Sequence, residues 1–132
     1  MRRNPCTAAA VVAVLAALPA WRASAASVFD FDVWMRAIDK RSVSVQQRIA
    51  ARDVGAASED AHEIERLYGL MEAYFAKDGN AADAVMLSHD GKALAASIPT
   101  ALQDQDYTGA ARAAQTISHA CNDCHDTYKP FK

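Results

Sequence analysis

Residues 107–128 read YTGAARAAQTISHACNDCHDTY, and two patterns are superposed in that stretch. Ala110, Ala114, Ile117, Cys121, Cys124 and Tyr128 recur at spacings of four and three. That is the stripe of an amphipathic helix whose apolar face meets a core. Inside the stripe lies Cys121-Asn122-Asp123-Cys124-His125, a C-x-x-C-H, the spacing that attaches a c-type haem. On a helix, positions three and four apart share a face, so Cys121, Cys124 and His125 point at one object. Two thiols adding to the two haem vinyl groups give thioethers. The neutral imidazole of His125 then reaches the iron from the proximal side, its second nitrogen held by an acceptor.

Other chemistries also use paired cysteines. A thioredoxin-like redox pair opens a helix that follows a strand, where the helix N-terminus lowers the thiol pKa. Here the pair lies late in a helical run and no strand pattern precedes it. A zinc half-site needs a second ligand pair, and the sequence has no further C-x-x-C and no H-x-x-x-H. A simple disulfide or a haem-free Cys121–Cys124 redox pair stays as the competing reading.

The other end of the chain is a leader. Arg2 and Arg3 precede an apolar run over residues 8–18, and Ala23-Ser24-Ala25 forms an A-x-A cleavage site. The run is too short to anchor stably in a bilayer. Cleavage is expected after Ala25 or Ala26. Asn4-Pro5-Cys6 is not the usual sequel to a twin-arginine pair, so the general secretory route is expected. Cys6 precedes the apolar run and leaves with the leader. A periplasmic protein follows, in an oxidising compartment.

Removing residues 1–25 leaves 107 of the 132 residues, one domain with a modest core that a buried haem would enlarge. The chain has 14 basic and 16 acidic residues; losing Arg2, Arg3 and Arg22 leaves 11 against 16, a net charge of −5. Nucleic acid is not the expected partner; a basic or mixed-charge protein surface is.

Between leader and motif, helical periodicity continues without strand patterns. A first helix is predicted over residues 29–52, with Phe31, Met35, Ile38, Ser42, Val45 and Ile49 on its seam. Arg36, Lys40, Arg41, Arg48 and Arg52 mostly lie off it and read as a solvated face. Asp53-Val54-Gly55 breaks the run. A second helix begins at Asp53 or Ser58 and ends near Ala76, with Ala57, Ala61, Ile64, Tyr68, Met71 and Phe75 on its seam. Lys77-Asp78-Gly79-Asn80 is a turn. A third helix is predicted over residues 81–102, with the stripe Leu87, Gly91, Leu94, Ile98 and Ala101. Pro99 is expected to kink it or to start a separate last turn, and Gly91 to weaken it. Asp106 caps the fourth helix.

Taken together, these features resemble the class II c-type cytochromes, the cytochrome c′ family and its low-spin relatives. The motif lies near the C-terminus, closes a helical domain of bundle length, and continues as C-x-x-C-H-D-x-aromatic-basic through Asp126, Tyr128 and Lys129. Many members have Arg where Lys129 stands. The resemblance implies an all-α, antiparallel four-helix bundle with one covalent haem near one end. It implies His125 as the fifth ligand and a residue of the first helix facing the iron from the other side. That residue is Leu or Phe in many five-coordinate members and Met in six-coordinate ones.

Seam position alone leaves Met35 open between core filling and iron ligation; the resemblance points to it as the distal ligand. Met71 lies on the second seam and reads as core, and Met86 lies off the third stripe. His62, His89 and His119 read as surface histidines. The expected function is a periplasmic monohaem cytochrome c that carries single electrons between redox proteins, and not an enzyme. The alternative is a five-coordinate binder of nitric oxide or carbon monoxide. Members of that family often dimerise through their first two helices; the oligomeric state of this chain stays open, with Trp34 and Tyr74 as candidate contacts.

Overall fold

The computed structural model describes residues 26–128, apart from the side chain of His125. Residues 1–25, where a leader is expected, and Lys129 lie outside the described residues. Four helices account for the described chain: α1 (Val28–Ala50), α2 (Val54–Phe75), α3 (Ala82–Gln103) and α4 (Tyr107–Tyr128). They form a closed ring. Each packs on its sequence neighbours, and α4 closes the ring on α1. Among the described residues no helix is long and apolar enough to cross a membrane.

Local chemistry starts three of the four helices. Ser27 accepts from the Asp30 N–H while the Asp30 carboxylate accepts from the Ser27 N–H, a reciprocal capping box. Asp53 caps α2 through Ala56 and Asp106 caps α4 through Gly109. The turns before α2 and α4 also use Arg52 and Gln105 at positive φ, 58° and 60°. Arg52 lays its guanidinium 4.7 Å from the Tyr107 ring centre, joining the end of α1 to the start of α4.

The α1 seam is buried as its spacing predicts, from Phe31 to Ile49. The α2 seam is buried with two additions, Asp60 and Leu67. The predicted α3 stripe holds at Gly91 and Ile98, both buried, and is shifted by one residue at its other positions. Ser88, Ala95 and Leu102 are buried, while Leu87, Leu94 and Ala101 are half-buried. The Ser88 hydroxyl can be buried because it donates back to the Ala84 carbonyl at 2.8 Å. Pro99 is buried inside α3, which continues to Gln103 as one helix. Gly91 is a requirement rather than a weakness: a Cβ there would overlap the Tyr68 ring of α2.

The basic face of α1 is not wholly solvated. Asp60, 2 % exposed, receives Arg41 at 2.6 Å, Arg48 at 3.2 Å and the Ser44 hydroxyl at 2.6 Å. Three donors from α1 thus fix one buried carboxylate of α2, which meets the condition for burying a charge.

Candidate functional site

Helical spacing sets the levels of the bundle around the cysteines. Met35 on α1, Met71 on α2 and Cys124 on α4 each lie four residues from an aromatic, Phe31, Phe75 and Tyr128 respectively. Those aromatics form a lid over one end. Phe31 meets the Phe75 ring edge-on with centroids 5.1 Å apart, and Phe75 lies 5.2 Å from Tyr128. The Tyr128 hydroxyl donates to Asp83 at the start of α3. This bond holds the Tyr128 hydroxyl up to about 12 and keeps the Asp83 carboxyl below its ordinary range.

Beneath the lid is a cavity lined by Met35, Ile38, Tyr68, Met71, Leu87, Ser88, Ala120, Cys121 and Cys124. All four helices contribute to it. Both cysteines are free thiols on the buried face, 7 % and 9 % exposed. Burial pushes Cys121 up to about 11, and the nearby Tyr68 hydroxyl opposes that shift. Burial and the nearby Asp83 charge raise Cys124 as well. Tyr68 is pushed far above a phenol's usual value, first by burial and then by Cys121. These are thiols that stay protonated at neutral pH, unlike the depressed thiols of redox pairs.

The structure brings together Met35, Cys121 and Cys124, and adds Met71 and Tyr68 to them. His125 occupies its helical place in α4, and its side chain lies outside the described residues. Met86 is 66 % exposed and far from this arrangement in kind. His62 faces solvent beside Glu65, and His89 pairs across α2–α3 with Glu72. His119 is exposed. None of these three histidines lines the cavity. Among the described residues, no group of three His, Cys, Asp or Glu side chains could hold a metal.

The donor chemistry suits a c-type haem: two thiols for thioethers, a thioether facing the same space, and apolar walls of Ile38 and Leu87. The space is the stricter condition. The cavity measures about 20 Å³, room for one water. A haem ring is accommodated only if the walls part. Comparison with protein-family models, with curated proteins and with solved structures finds no match to this chain.

Proposed function

We propose that this chain is an exported monohaem cytochrome c that carries single electrons, folded as an antiparallel four-helix bundle. One observation carries the reading: both cysteines of the C-x-x-C-H are buried on the core face and share one cavity with Met35. The antiparallel arrangement is supported by the way ends meet starts, Phe75 of α2 against Phe31 of α1 and Tyr128 of α4 against Asp83 of α3.

In this reading Cys121 and Cys124 would hold haem c by thioethers, and His125 and Met35 would supply the iron's protein ligands. The bound haem supplies a one-electron iron couple. The chain's own part is to orient and to exclude water. Met35, 4 % exposed, offers a soft neutral sulfur that favours the reduced iron. The Phe31, Phe75 and Tyr128 lid keeps solvent from that end. The net −5 of the mature chain suits a redox partner with a basic or mixed-charge face. The raised thiol pKa values weigh against a working Cys121–Cys124 redox pair.

A visible spectrum of oxidised and reduced protein, with haem staining on a denaturing gel, tests the reading. A covalent, low-spin haem is expected. A stained but high-spin protein that binds carbon monoxide replaces it with the gas-binding alternative. An unstained chain from cells able to attach haem overturns it.

A further inference from the structure

We propose that the haem-free chain binds one Cu(I) ion in the cavity, between the thiol sulfurs of Cys121 and Cys124 and the thioether sulfurs of Met35 and Met71. These four side chains, from α1, α2 and α4, line the same small space. All four donors are soft, and thiolate and thioether ligands select Cu(I) over the harder divalent ions. The size agrees. About 20 Å³ is far too little for a macrocycle and enough for one ion among its donors.

The lining disfavours the harder competitors. Among the described residues it offers no carboxylate, the oxygen donor that calcium and magnesium need, and its two thioethers are soft donors that suit Cu(I) better than zinc. Of its two hydroxyls, that of Ser88 is engaged by the Ala84 carbonyl, and that of Tyr68 lies near Cys121. Binding through both thiolates releases two protons to solvent and leaves one net negative charge on the site. Tyr68 lines the same cavity and carries a hydroxyl able to donate to that charge. A coordinating cation displaces the thiol protons.

This proposal is independent of the electron-carrier reading, and the two states exclude each other on one molecule, because thiols converted to haem thioethers no longer bind as thiolates. The practical consequence is a competition: copper reaching the exported chain first occupies the attachment sulfurs.

The test uses the full chain produced without haem-attachment machinery, reduced and kept free of oxygen, titrated with acetonitrile-stabilised Cu(I) against the chelator bicinchoninate. One Cu(I) per chain is expected, with an ultraviolet sulfur-to-copper band and a higher melting temperature. Met35→Leu and Met71→Leu should each weaken binding by roughly tenfold while helical circular dichroism persists. Cys121→Ser with Cys124→Ser should abolish it. X-ray absorption on the unmutated chain should count more than two sulfur neighbours and no nitrogen or oxygen. Affinity untouched by both methionine changes, a two-sulfur site, or no uptake in competition with bicinchoninate overturns the proposal. Haem staining of chain matured with the attachment machinery reads the other hypothesis separately, so either can fail alone.

Discussion

Asp60 and the sulfur cavity are two buried departures from an aliphatic core, and they are built in opposite ways. Around Asp60, directed bonds are complete. Both carboxylate oxygens are taken, by Arg41, Arg48 and Ser44. Around Cys121 and Met71 the Tyr68 hydroxyl lies near, and otherwise sulfur meets hydrocarbon with a little room left over. A charge must be fully matched before it can be buried. Sulfur tolerates burial unmatched, as a small or flexible apolar group. The first region therefore only holds α1 to α2. The second is stable as it stands and still has lone pairs to offer.

The sharpest way to break this contrast is to strip the donors from Asp60. Arg41→Met with Arg48→Met leaves a carboxylate buried with Ser44 alone. The loss should be about 3–4 kcal/mol, toward the low side for a buried pair because both arginines are about 40 % exposed and part-hydrated. Urea unfolding measures it, and a loss under about 1 kcal/mol would mean the ion cluster is ornamental.

Truncation at the other region should cost less. Met35→Ala removes a buried side chain beside existing space and should cost about 3 kcal/mol in the haem-free chain. In the haem-loaded protein it should also turn the iron high-spin and open it to carbon monoxide. A low-spin spectrum that survives the change points to Met71, which shares the cavity.

Gly91→Ala probes the contact of α3 with the Tyr68 ring, one wall of the cavity. The added methyl must displace that ring, at about 1–2 kcal/mol. Tyr68→Leu in the same chain should recover most of that loss; no recovery would place the clash elsewhere.

The smallest effect belongs to the Tyr128–Asp83 bond. The Tyr128 value is raised on folding, so its contribution is present below the ordinary phenol range and is lost as pH rises through about 12. The Asp83 value is lowered, so the same bond also fades as pH falls through the carboxyl's depressed range. Tyr128→Phe should flatten both edges of a melting-temperature profile against pH. A profile unchanged at both edges would show that the bond adds nothing.

The sequence makes some of this legible and hides the rest for physical reasons. The α1 seam and the core-facing cysteines follow from helical period alone, since one side chain per seam position decides burial. The α3 register does not, because hydropathy ranks Leu87 above Ser88. It has no knowledge that Ser88 can satisfy its own hydroxyl within the helix, whereas Gly91 and Ile98 do lie on the buried face as the stripe predicts. The Arg41 and Arg48 partnership with Asp60 spans a helix turn and a chain reversal, so no local pattern carries it. Met71 and Tyr68 stand on the predicted α2 seam. Only the packing of α2 against α4 puts them level with Cys121.

The capping box at Ser27 gives the domain a self-contained edge. The Ser27 N–H and the Asp30 N–H are both answered by side chains within the first turn, at 2.7 and 3.3 Å. Cleavage after Ala26 would turn that first donor into an ammonium group. Such a charge normally opposes the positive end of a helix, but here the Asp30 carboxylate already sits against it. A chain beginning at Ser27 would therefore keep α1 wound from its first residue.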